Sequence, residues 1–101
     1  MWVVAMFDLP VGTKKARRAY TLFVKHLRRD GFTRIQFSVY ARHCASKENA
    51  QVHIGRIQGN LPPDGEVRIL SVTDKQFERM SIFWGNTRKV PEEPPCQLQL
   101  F

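Results

Sequence analysis

The feature that most limits the fold is the run Trp2-Val3-Val4-Ala5-Met6-Phe7, unbroken apolar sequence rich in strand-favouring residues and closed abruptly by Asp8-Leu9-Pro10-Val11-Gly12. An apolar run without polar alternation predicts a central strand buried on both faces, and the residues after it carry turn chemistry. The run is too short for a bilayer span and lacks the basic leader of a signal peptide, so no membrane partner is expected. Asp8 therefore lands at the carboxyl end of a buried strand.

Thr13 offers an N-cap for a helix from Lys14 to about Asp30, and Gly31 supplies a left-handed stop. At about 100° per residue, Ala16, Ala19, Tyr20, Phe23, Val24 and Leu27 gather on one side as an ordinary core-facing stripe, with only Leu22 out of place. Lys14, Lys15, Arg17, Arg18, Lys25, Arg28 and Arg29 gather opposite. Cations in the first turns oppose the helix dipole by about 0.3–1 kcal/mol each, so local helix stability did not select Lys14, Lys15, Arg17 and Arg18. One reading of such a run is a solvated face. The other is phosphate contact, a salt-sensitive and sequence-independent grip on nucleic acid. The chain as a whole carries 16 Lys+Arg against 9 Asp+Glu, a net +7 that favours polyanions, although basic surfaces also aid solubility.

Arg34 to Ala41 alternates, with Ile35, Phe37, Val39 and Ala41 on one face and Arg34, Gln36, Ser38 and Tyr40 on the other, as in a half-covered antiparallel strand bending into a third. Extended character runs on through Cys44. Ser46 then caps a second helix that turns Ala50, Ile54 and Ile57 inward and ends by Gly59. After the dense turn signal Asn60-Leu61-Pro62-Pro63-Asp64-Gly65, Glu66 to Thr73 reads as another strand through Val67, Ile69, Leu70 and Val72. The order βαββαβ, with both helices crossing one face, gives an α+β class: a ferredoxin-like two-layer sandwich.

Thr73 to Arg79 reads as a turn or helical turn, and Met80 to Trp84 as a returning extended segment. Residues 1–85 are thus expected to form the domain, and 86–101 a Pro-rich arm and edge strand. Pro91-Glu92-Glu93-Pro94-Pro95 should run extended, whereas Gln97 to Phe101 alternates like a last strand whose Leu98, Leu100 and Phe101 join another sheet edge. A chain of 101 residues has much surface for its volume, so pairing with a second copy is expected before any motif is read.

For chemistry, Asp8 stands where α/β proteins often place functional groups, although an aspartate before Leu-Pro also bonds its own turn. A hard cation such as Mg²⁺ accepts one or two carboxylates and fills its remaining positions with water and phosphate oxygens. Two copies of Asp8 near a dimer axis could share such an ion, polarising a phosphodiester and activating water. His26, His43 and His53 show no metal spacing and read as structural or solvent-facing. Cys44 and Cys96 signal neither a disulfide framework nor a zinc knuckle, which fits a reducing cytoplasm. Gly55 to Gly65 lacks the spacing of a nucleotide-binding loop. An RNA-recognition module is a minor alternative from the element order, but the Arg34 to Tyr40 strand lacks that module's glycine between basic and aromatic residues.

Trp2 to Pro10, the basic helix, Gly31-Phe32 and Arg34-Ile-Gln-Phe-Ser-Val-Tyr40 together strongly resemble the CRISPR-associated protein 2 family. Arg68 to Phe77 and the arm ending Gln97-Leu-Gln-Leu-Phe101 resemble its variant in type II systems. The resemblance implies a ferredoxin-like homodimer completed by C-terminal strands, bound to double-stranded DNA between dimers of the CRISPR integrase subunit for spacer acquisition. It also implies that Asp8 is the acidic position at the end of strand one that binds Mg²⁺ between protomers and serves as the catalytic residue of an endonuclease acting on RNA or double-stranded DNA. Ser38 matches a polar position of the family's second-strand motif and is left outside the catalytic set. Leu9-Pro10-Val11-Gly12 adds no acid or His beside Asp8, which favours the scaffold over the hydrolytic reading.

Overall fold

The apolar run becomes β1 (Trp2–Asp8) of a computed structural model that describes residues 1–85. After it come α1 (Lys14–Arg29), β2 (Thr33–Gln36), β3 (Val39–His43), α2 (Lys47–Gln58), β4 (Glu66–Val72) and α3 (Asp74–Glu78). The sheet is antiparallel in the order β2-β3-β1-β4, the ferredoxin-like arrangement expected from the sequence.

β1 is buried on both faces, as its composition requires. Val3, Ala5 and Phe7 pack with Phe23 and Leu27 of α1 and with Ala50 and Ile57 of α2. Trp2 and Val4 point the other way, onto Ala41 and Phe77. Phe77 of α3 stacks flat on Trp2 at 4.1 Å between ring centroids. This second face is covered only in part: a groove of about 500 Å³ runs over Val4, Met6, Val39 and Leu70 to Phe83 and Trp84. Met80 to Trp84, expected as an extended segment, carries no regular secondary structure. The expected arm, with Leu98, Leu100 and Phe101, lies outside the described residues.

Local signals at the helix starts act as read. Thr13 Oγ1 accepts from the Ala16 amide at 3.0 Å, and Ser46 Oγ accepts from the Asn49 amide at 3.0 Å. On α1, Phe23 and Leu27 are buried, Tyr20 and Val24 are partly buried, and Leu22 is exposed.

One expectation is corrected. The Arg34 to Ala41 alternation, expected as one strand bending into a third, is instead broken by a tight hairpin between β2 and β3, with Gln36 paired to Val39 and Phe37-Ser38 as its loop. Ser38 adopts φ 60°, a left-handed conformation that costs a non-glycine residue about 1–2 kcal/mol. It is held there by two contacts: its carbonyl accepts from the Phe7 amide at 3.1 Å, and its hydroxyl lies 3.3 Å from the Tyr20 hydroxyl. Phe37 leaves the apolar face and projects from the loop, 73% exposed.

At the far end of α1, Asp30 ties three elements together. Its buried carboxylate accepts from His53 Nδ1 and from Arg56 Nη1, both at 2.7 Å, and its carbonyl accepts from Arg42 Nε at 2.7 Å. Burial works against the Asp30 charge, yet the hydrogen bonds and positive charge of His53 and Arg56 outweigh it and hold the carboxyl below its ordinary value. His53, read as isolated, is thus half of a buried pair.

Candidate nucleic-acid interface

Helix α1 lays its apolar stripe on β1 and so turns its opposite face outward. Lys14, Lys15, Arg17, Arg18, Lys25, Arg28 and Arg29 are all exposed, as the wheel places them. The first turn contains no acid. Among the described residues the ion pairs formed by Asp30, Glu66 and Asp74 go to His53, Arg56, Arg68, His43 and the Met1 ammonium, and none takes a cation from this face. Two of these residues are steered by neutral groups: Arg17 Nη1 donates to the Val11 carbonyl at 3.1 Å, and Arg28 stands 5.8 Å over the Tyr40 ring.

Asp8 is exposed at the last position of β1, opposite Glu66 of β4. By strand alternation both share the side of Trp2, Val4 and Met6, the incompletely covered face of the sheet. Glu66 is held by Arg68 Nε at 2.6 Å, a pair exposed to solvent. Gly65 lets β4 begin this close to Asp8. Its φ is +93°, and a Cβ there would stand 2.6 Å from the Asp8 carbonyl oxygen. Asp8 therefore offers one hard oxygen donor on a braced strand end. Among the described residues, no group of three or more His, Cys, Asp or Glu side chains is placed to hold a metal ion. No described helix is long and apolar enough to cross a membrane.

The sequence pattern does not mark the hairpin loop as part of this region, yet the hydrogen bond from the Phe7 amide to the Ser38 carbonyl sets it one residue from Asp8. Phe37 stacks near Tyr20 at 6.5 Å, and the Arg34 guanidinium lies 5.6 Å from the Phe37 ring centroid. Arg34-Ile-Gln-Phe37 carried the signal, a cation beside an aromatic residue, but the alternation concealed the loop. His43 meets Asp74 at 3.3 Å across exposed surface, and Cys44 is a buried packing residue.

The fold and these surfaces define a small ferredoxin-like α+β protein with a cationic helix on one side of its sheet and a strand-end carboxylate turned toward the other. Residues 1–80 match the family described as CRISPR associated protein Cas2. A relative from Parvibaculum lavamentivorans, named CRISPR-associated endoribonuclease Cas2, is 55% identical over 101 residues, covering 100% of both chains. One of the same name from Flavobacterium psychrophilum is 45% identical over 101 residues, covering 100% of this chain and 88% of the relative. The crystal structure of Streptococcus pyogenes Cas2 at pH 6.5 superposes with a TM-score of 0.60 at 19% identity, over 82% of this chain and 99% of that one, and supports the fold. The chain belongs to the Cas2 family.

Proposed function

We propose that this chain is a DNA-binding scaffold of CRISPR adaptation: a homodimer that grips double-stranded DNA through α1 and bridges integrase dimers during spacer acquisition, in the cytoplasm. The observation that carries the reading is the α1 face, whose exposed cations have no acid partners among the described residues. Cations left free in this way suit phosphate, which they bind with release of counterions. The partly covered apolar face of the sheet supports pairing of two copies, since exposed apolar grooves mark association surfaces.

A second reading, a divalent-metal-dependent endonuclease, is favoured by the name endoribonuclease that the relatives carry. Asp8 fits one ligand position of Mg²⁺. The other positions would fall to water, nucleic-acid phosphate and Asp8 of a second copy, because Glu66 is engaged by Arg68. Bound there, the ion would polarise a phosphodiester and activate water.

Asp8→Ala tests both readings. The scaffold predicts that spacer integration with the partner integrase survives while any Mg²⁺-dependent cleavage of RNA or double-stranded DNA is lost. Lost integration by dimers of unchanged mass refutes the pure scaffold, and unchanged cleavage refutes the metal role.

A further inference from the structure

We infer that Phe37, with Arg34 beside it, is a stacking platform for one unpaired nucleobase of a strand whose phosphates lie along α1. The inference rests on the nucleic-acid reading of α1 and adds a second mode of contact to it. A side chain of this kind on a hairpin tip would ordinarily be polar, since it gains nothing from water. Here the loop is fixed rather than loose. Ser38 holds a left-handed backbone, its carbonyl takes the Phe7 amide at 3.1 Å and its hydroxyl meets Tyr20 at 3.3 Å. Behind the exposed ring stands a continuous series of aromatic rings: Phe37 to Tyr20 at 6.5 Å, Tyr20 to Phe7 at 5.9 Å, and Phe7 to Tyr40 at 5.7 Å.

The ring is therefore braced by the sheet and by α1, yet remains 73% exposed. A ligand that stacks on it loses little in ordering the loop, because the structure has already ordered it. The ligand class follows from the surroundings. Arg34 lies 5.6 Å from the ring centroid, so a cation stands beside the platform, and Arg28 stands over Tyr40 at the other end of the aromatic series. A flat, uncharged ring system attached to an anionic backbone satisfies both features, and a nucleobase is that group. Bases paired within a duplex have their faces covered by neighbours, so the platform selects unpaired ones irrespective of sequence.

The test compares four ligands with the full chain: single-stranded DNA, RNA of the same sequence, the corresponding blunt DNA duplex, and the DNA strand carrying one 2-aminopurine as a stacking reporter. Phe37→Leu should weaken binding of the single strands by roughly five- to a hundredfold, the range of base–aromatic stacking, and leave the blunt duplex within about twofold. Phe37→Trp should restore single-strand affinity, and protein binding should quench the 2-aminopurine with wild type but not with Phe37→Leu. DNA and RNA should respond alike, as the recognised group is the base. Equal losses on single strand and duplex, or no loss on either, overturn the platform, as does a change confined to the sedimentation of Phe37→Leu, which would show the ring covered by a second copy. Charge reversal at Lys15 and Arg18, run alongside, reads the phosphate grip separately: unchanged duplex affinity there refutes the grip and leaves the Phe37 comparison to be judged on its own ligands.

Discussion

Replacing Asp30 by Asn isolates the contact that fastens the end of α1 to α2. The substitution keeps the side-chain volume and removes the charge. In the wild type both members of the Asp30–His53 pair are nearly inaccessible, with side chains 7% and 6% exposed, and their bond is 2.7 Å long. A hydrogen bond to a buried charged group contributes about 1.5–3 kcal/mol. Arg56 is 56% exposed, so its bond to the same carboxylate adds only about 0–1 kcal/mol once solvent screening is counted. An Asn amide keeps one acceptor where two are needed and turns an NH₂ toward another donor. The expected loss near neutral pH is therefore about 2–3 kcal/mol, which for a domain of this size lowers Tm by about 10–20 °C.

The pH dependence has a definite sign. The folded Asp30 carboxyl is held below its ordinary value of 3.8, so its contribution is present above that value and is lost as the pH falls through the folded one. Wild type and Asp30→Asn should differ fully above the ordinary aspartate value and converge in stronger acid. Urea unfolding followed by far-ultraviolet circular dichroism, at one fixed protein concentration, measures the gap. An Asp30→Asn cost no larger than that of Arg56→Ala, or a gap undiminished in strong acid, would falsify the account.

Gly65→Ala should destabilise the fold by about 1–3 kcal/mol in thermal melts and disturb the Asp8 strand end, because its Cβ would meet the Asp8 backbone oxygen at 2.6 Å in a left-handed conformation. Gly31→Ala should cost less, since its new Cβ meets only the Arg42 side chain, at 2.9 Å. On the basic face, replacing Lys15 and Arg18 together by Ala should reduce the slope of log affinity for duplex DNA against log salt by about 1.8 if both touch phosphate. An unchanged slope shows that neither residue does.

What sequence alone reveals here depends on how local each signal is. β1 and α1 are legible because an apolar run and a helical period are carried by neighbouring residues, and Thr13 and Gly31 mark the ends of the helix. The hairpin is hidden for an equally local reason. A two-residue loop by itself would reverse the parity, but the bulge between Arg34 and Gln36 restores it, so Ile35 and Val39 still fall on the same face and the alternation passes through the turn unbroken. Phe37-Ser38 also lacks the glycine or asparagine that usually marks such a loop. The Asp30–His53 pair is invisible at 23 residues' separation until α2 folds back on α1. Its one trace is an acid at the C-terminal end of a helix, where the dipole disfavours it and a cation from elsewhere must compensate. Asp8 is legible as a strand end but not as a complete site, since its nearest acid belongs to Arg68.

That incompleteness follows from which side of the sheet each group occupies. The α1 cations stand on the helix side, while Asp8, by alternation with Trp2, Val4 and Met6, belongs to the uncovered side. If two copies meet through the uncovered side, their Asp8 residues approach one another while both basic faces remain turned outward. Phosphate grip and metal binding then answer to different perturbations. Asp8→Ala should leave the salt slope for duplex DNA unchanged, and charge reversal on α1 should leave the dimer mass unchanged. A substitution at either place that moved both observables would mean that the strand end and the helix face act as one surface, contrary to the geometry of the sheet between them.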